Sequence, residues 1–189
     1  QGGGTPRRLL QAHARGAVFT EWIAHPGVID RLRGLLGSPL YCPLAHHNCV
    51  MTKSPRFSSE TGWHQDIRYW SFTERHLITV WLALGDEHPE NGCLHVIPGT
   101  HRQQFAAEQF DSDLFFRPDL ADNAALIAQA LPVELSAGDV LFFHCRTLHA
   151  ASANHTDQTK FSVVFTYRGE GNRPTPGSRS ASLPEMLIH

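Results

Sequence analysis

From Pro39 onward the chain is a succession of short apolar runs, each soon closed by Gly, Pro, Asn or Ser. HNCVMTK (47–53), LITVWLAL (77–84), GCLHVIPG (92–99), VELSAGDVLFFH (133–144) and KFSVVFTYRG (160–169) read as strands or strand–turn–strand units. Their spacing predicts an antiparallel sandwich or barrel and argues against a βαβ alternation. The last run alternates cleanly. Phe161, Val163, Phe165 and Tyr167 fall on one face, and Lys160, Ser162, Val164, Thr166 and Arg168 on the other.

Helical signals are few. In HPGVIDRLRGLLGSP (25–39), Val28, Ile29, Leu32, Leu35 and Leu36 recur at three- and four-residue spacing, Pro26 suits the start, and Gly37 and Pro39 stop the helix. ADNAALIAQAL (121–131) predicts a second, short helix. The segment between, FAAEQFDSDLFFRPDL (105–120), is a connection long enough to suggest a functional loop. The tail GNRPTPGSRSASLPE (171–185) is predicted to loop over the surface or to be mobile. With no internal repeat, the expectation is one domain over residues 1–189, mainly β, with a barrel core at about 40–169 and a few flanking helices.

Composition narrows the function classes. Apolar residues make up 41% and charged residues 18%, as in an ordinary globular protein. The formal net charge of −2, with no basic block, argues against nucleic acid as a partner. No run approaches the ~18 apolar residues of a membrane span. No signal peptide is evident, although the chain opens on Gln1. Cys42, Cys49, Cys93 and Cys145 form no CxxC pair, so neither a zinc knuckle nor a disulfide framework is indicated, and a reducing, cytoplasmic setting is expected. Histidine is the outlier, with 13 copies.

Two of these histidines stand beside acids or small residues in a pattern that suits a metal. In TGWHQDIRYW (61–70), an extended backbone would point His64 and Asp66 to one face and Gln65 to the other. Further ligands must come from elsewhere, and SAGDVLFFHCRTLHAASANH (136–155) offers His144, His149 and His155. Two histidines and a carboxylate with open positions remaining form the facial triad of non-heme Fe(II) oxygenases, while zinc hydrolases use similar ligands.

GWHQD, LITVWLAL, ENGCLHVIPGTH and GDVLFFHCRTLHAASANH, in this order between about Ala45 and Arg168, resemble the phytanoyl-CoA dioxygenase family of Fe(II)/2-oxoglutarate oxygenases. The resemblance implies a double-stranded β-helix, a jelly-roll, cupin-like barrel with helices packed on one side. It implies Fe(II) held by His64, Asp66 and His149, with 2-oxoglutarate and O2 as co-substrates and succinate and CO2 as products. Relatives carry an arginine on the last barrel strand, eleven residues after the distal histidine, that binds the far carboxylate of 2-oxoglutarate. Here that position is Lys160, a point charge in place of a bidentate fork. Lys160 and Ser162 resemble the family's Arg-x-Ser arrangement, with Arg168 as a second cation on the same face. Ala151 stands where a serine often follows the distal histidine. Trp81 matches a tryptophan lining the co-substrate site, and Cys49 lies on the strand that borders it.

Substrate contacts are expected from Arg68, Tyr69 and Trp70, a mouth suited to an acidic or ring-containing small molecule, and from Arg146 between His144 and His149. No basic cluster suggestive of coenzyme A is visible in the sequence. The expectation is therefore a dioxygenase that hydroxylates or otherwise oxidises a small organic molecule, with neither nucleic acid nor membrane as partner. The lysine at position 160 and the alanine at 151 motivate one competitor: a metal-binding jelly roll without 2-oxoglutarate chemistry, either a cupin-type enzyme or a non-catalytic binding module.

Overall fold

The structure, a computed structural model, describes residues 6–188. In chain order these form β1 (Arg8–Leu10), α1 (Ala17–Ile23), α2 (Pro26–Leu36), β2 (Leu40–Pro43), β3 (Asn48–Lys53), β4 (Thr61–His64), β5 (Ile78–Ala83), β6 (Leu94–Val96), α3 (Ala121–Ile127), β7 (Leu131–Val133), β8 (Val140–His144), β9 (His149–Ala151), β10 (Lys160–Gly169) and β11 (Glu185–Ile188).

All strand pairs are antiparallel and fall into two sheets. The seven-stranded sheet is organised on β10, flanked by β3 and β5. Strand β1 adds outside β3 and β8 outside β5, while the far end of β10 pairs with β2, which carries β11. The smaller sheet has the order β4-β9-β6-β7. This is the jelly-roll arrangement expected.

The period-two pattern of β10 sorts its two faces between two cores. Val163, Phe165 and Tyr167 join Val50, Ile78 and Val80 under the helices, packing on Ile23, Val28, Ile29 and Leu32. Val164 on the opposite face packs with Trp81, Leu94, Phe143 and Ala151, inside the barrel. Helix α2 starts on Pro26, where a missing N–H costs nothing, and stops at Gly37, whose φ of 78° suits a residue without Cβ. Gly169, at the end of β10, lies so close to Leu36 that a Cβ would run into that residue's carbonyl oxygen.

Two expectations need correction. The His64–Asp66 stretch is not one continuous strand: β4 ends at His64, and Asp66 opens a 3-10 turn that runs to Tyr69. Of the two forms expected for the tail, it takes that of a surface loop, and it is anchored. Ser180 is buried against His46 (2.7 Å), Arg168 forms an ion pair with Glu185, and β11 pairs with β2. These side-chain anchors outweigh a Pro/Gly/Ser-rich composition. Arg168 is therefore buried and committed to Glu185, and is no second cation for a ligand. Among the described residues no helix is long and apolar enough to cross a membrane. All four cysteines are free and buried.

Gly169→Ala should separate α2 from the sheet edge. The expected loss is about 1–3 kcal/mol of stability, the usual cost of overpacking, read from the midpoint of chemical unfolding. An unchanged midpoint would mean that the helix shifts freely.

Candidate metal centre and its two chambers

Asp66 is buried in the middle of the barrel mouth and needs cationic or donor partners to remain there as a carboxylate. His64, at the end of β4, and His149, at the start of β9, are cross-strand partners, so their rings lie side by side with centroids 4.2 Å apart. One donor atom from each of His64, Asp66 and His149 lies within 4.8 Å of the others.

The hydrogen bonds set both imidazoles for coordination. His64 Nδ1 donates to the Gly62 carbonyl (2.8 Å) and His149 Nδ1 to the Thr147 carbonyl (2.9 Å). Each Nε2 is thereby turned to Asp66 Oδ1, at 4.0 Å and 3.5 Å. The other carboxylate oxygen, Oδ2, accepts from Thr79 Oγ1 at 2.8 Å. Backbone carbonyls behind histidines and a hydroxyl behind a carboxylate are the usual outer partners of metal ligands.

The electrostatics agree. Burial alone would raise Asp66, yet His47 and His149 hold it well below the usual carboxylate range. Burial would lower His149, but the Asp66 charge and its hydrogen bond raise it. His64, buried beside His149, is pushed well down. Without a cation, the cluster fills its need for positive charge with a proton; a divalent metal supplies that charge instead and releases the proton. Two imidazole nitrogens and one carboxylate oxygen, gathered on one side, fit the donor set of the non-heme iron triad.

A third imidazole, His47, escaped the sequence reading. Its Nε2 lies 3.2 Å from Asp66 Oδ1, its ring stands edge-on to Trp70 (5.1 Å), and its Nδ1 is buried without a hydrogen-bond partner. Nothing in HHN marks the second histidine as different from the first.

The centre lies between two cavities. The inner chamber is bordered by all three triad residues and by Lys53, Trp81, Phe143 and Lys160. The outer cleft, about 360 Å3, reaches His64 and Asp66 from another side and is bordered by Arg8, Arg68, Trp70 and Arg179. His47 and Arg8 border both.

Lys160 enters the inner chamber already partnered. Its Nζ forms a 2.9 Å ion pair with Glu87, whose side chain is fully buried. Ser162 Oγ donates to Glu87 Oε1 at 2.5 Å, and Trp81 Nε1 donates to the same oxygen at 3.0 Å. The three polar groups singled out in the sequence thus converge on one carboxylate that the sequence did not flag. The free charge sits opposite. Lys53 pairs across β3 and β10 with Lys160, so the two side chains share the barrel's inner face. Lys53 Nζ has only neutral carbonyl partners, Ser152 and Ser59, and no carboxylate within ion-pair distance among the described residues. Burial, then the charge of Lys160, bring its pKa down to about 8.

The remaining candidates divide. Arg68 and Trp70 border the outer cleft; the Arg68 guanidinium lies over Phe115 (4.1 Å) and Tyr69 (4.8 Å). Cys49 borders that cleft and not the inner chamber, because it stands four residues along β3 from Lys53, at the strand's other end. Arg146 borders neither cavity, since its guanidinium is tied to the Gln103 carbonyl. His144 lies on the opposite face from the triad, 3.2 Å from His76 and with its ring tilted against His101 (5.5 Å); His155 is exposed. Neither joins the His64–Asp66–His149 cluster.

Comparison with known proteins identifies the family of the chain. The sequence profile of the phytanoyl-CoA dioxygenase (PhyH) family matches residues 5–162. The chain belongs to this family. A probable phytanoyl-CoA dioxygenase of Caenorhabditis elegans is 27% identical over 168 residues, covering 85% of this chain and 54% of that protein. Ectoine dioxygenase of Halomonas elongata is 25% identical over 205 residues, covering 97% and 59%. The chain thus spans between half and three fifths of the length of these curated relatives. Among solved structures, EctD from S. alaskensis with bound Fe superposes with a TM-score of 0.80 at 21% identity (97% of this chain, 67% of that one), a likeness of fold. The epimerase SnoN, in complex with Fe3+, alpha ketoglutarate and nogalamycin RO, reaches 0.75 at 26% identity (94% and 69%).

Thr79→Val keeps the shape of a fully buried side chain and removes the donor to Asp66. Affinity for Mn(II) or Fe(II), measured by competition with a chelator, should fall roughly 10–100-fold. Unchanged affinity would mean that Asp66 does not ligate through this arrangement.

Proposed function

We propose that this phytanoyl-CoA dioxygenase family member is an Fe(II)- and 2-oxoglutarate-dependent oxygenase that hydroxylates or otherwise oxidises a small organic molecule. The observation that carries the reading is a buried His64–Asp66–His149 centre open to two cavities of different chemistry. Iron bound there would supply the redox chemistry by which O2 oxidises 2-oxoglutarate to succinate and CO2 and oxidises the substrate. The chain supplies placement. Thr79 and the Gly62 and Thr147 carbonyls orient the ligands. Trp81, Leu94 and Phe143 wall the inner chamber against water. The free thiols fit the cytoplasmic setting expected.

The inner chamber takes 2-oxoglutarate, with Lys53 as the principal partner of its far carboxylate and Lys160 contributing beside it. The charge of the chamber supports this assignment. Glu87 offsets Lys160, and Lys53 remains positive with Arg7 and Arg8 on the same lining, so a carboxylate meets net positive charge there. Ser162 and Trp81 act through Glu87, holding Lys160 in position.

Anaerobic titration of 2-oxoglutarate into Fe(II)-loaded protein should give a saturable visible charge-transfer band. Lys53→Met should weaken that binding about 10–100-fold, the worth of a hydrogen bond to a charged group. Affinity should also fall as pH rises through about 8, where Lys53 loses the proton that makes it a cation. A band insensitive to both would move the anchor elsewhere.

Glu87→Gln leaves Lys160 buried and unpaired, so about 3–5 kcal/mol of stability should be lost. Added 2-oxoglutarate should recover part of it, seen as a larger ligand-induced rise in melting temperature than in the parent protein. The Lys160–Glu87 pair also gives the competing reading its support, since it neutralises the cation at the family's anchor position. Iron-loaded protein with no 2-oxoglutarate band would favour that reading, a metal-binding jelly roll without this chemistry.

A further inference from the structure

The outer cleft gathers positive charge with no acid to balance it. Arg8 reaches it from β1, Arg68 from the turn that Asp66 opens, and Arg179 from the tail. Among the described residues the only carboxylate bordering the cleft is Asp66, which belongs to the His64–Asp66–His149 cluster. None of the three arginines makes an ion pair among the described residues. Arg68 donates only to the Asp113 carbonyl (3.3 Å), and the Arg8 and Arg179 guanidinium groups have no hydrogen-bond partner there. The sequence separation of these residues shows that the fold, not a local basic run, creates the cluster.

The surroundings are built to hold a flat group as well as a charge. His46 stacks on Trp70 (centroids 4.9 Å, 26° between planes), and Ser180, next to Arg179, fixes that ring through a 2.7 Å hydrogen bond to its Nε2. Strand pairing sets Arg8 opposite Met51, on the barrel's inner face, which explains how it borders both cavities. A cleft of about 360 Å3 lies within the range of small-molecule sites.

We propose that the outer cleft binds the substrate as an organic oxyanion, a carboxylate or phosphate held by Arg8, Arg68 and Arg179, with its carbon skeleton along Trp70 toward the His64–Asp66 edge of the centre. Guanidinium forks suit planar and tetrahedral oxyanions alike. This assignment of substrate class rests on the oxygenase reading, while the anion site itself does not.

The test is calorimetric titration of the metal-free full chain with phenyl phosphate and with benzoate, using benzamide as the neutral counterpart. Phenyl phosphate, benzoate or both should bind at least about tenfold more tightly than benzamide, a margin one charge-assisted hydrogen bond provides. Which of the two binds tighter distinguishes phosphate from carboxylate. The double variant Arg68→Gln/Arg179→Gln should lose the margin while retaining the circular-dichroism spectrum of the parent. Saturating 2-oxoglutarate should not displace the probe. Equal binding of benzamide, an undiminished margin in the double variant, or displacement by 2-oxoglutarate would each overturn the proposal. The charge-transfer titration separates the two readings: its failure alone removes the oxygenase and leaves the anion site, and the converse holds.

Discussion

The arrangement of the barrel mouth follows from one buried carboxylate. Asp66 cannot stay ionised inside protein without compensation, and the chain surrounds it with His47, His64, His149 and the Thr79 hydroxyl. Each comes from a different segment. Thr79 fixes the β5 side, His64 and His149 tie the ends of β4 and β9, and His47 closes the approach from the segment just before β3. Two of these imidazoles, with the acid, gather the donor set of a metal centre, and a divalent cation there would compensate the buried carboxylate.

The second buried acid, Glu87, solves a different problem. A lysine inside an apolar barrel needs a counter-charge, and Glu87 supplies one to Lys160 at 2.9 Å. Because Glu87 offsets the charge of Lys160, the proposed assignment gives the principal contact with an anionic ligand to Lys53, which is bound only to carbonyls. In place of a single arginine at position 160, two lysines here stand on strands that meet in register.

The fold was legible where periodicity and turn residues agree. KFSVVFTYRG (160–169) alternates without a break, and it forms a strand with those bounds. HPGVIDRLRGLLGSP carries both helix boundaries in Pro26 and Gly37. The His64–Asp66 pair was legible as a motif for a reason that differs from the geometry: a strand end followed by a turn, rather than alternation along a strand, brings the two side chains together. What escaped was set by long-range contact. Glu87 lies 73 residues before Lys160, and neither DEHPE nor its neighbours mark it as buried. The tail loops over the surface, one of its two expected forms, and what composition does not register is its anchoring by Ser180 and by the Arg168–Glu185 pair.

The two cavities differ in the kind of cation they present, and this bears on how one centre keeps two anions apart. The inner chamber presents ammonium groups, compact point charges at the end of flexible chains, behind walls of Trp81 and Phe143. The outer cleft presents guanidinium planes at an open rim. Arg8 borders both cavities, so its charge is shared between the cleft and the chamber. A bulkier oxyanion with a ring stays in the cleft, where Trp70 and His46 offer a flat surface and the arginines offer forks. Size therefore separates the two ligands, and charge draws both toward Asp66 and its histidines.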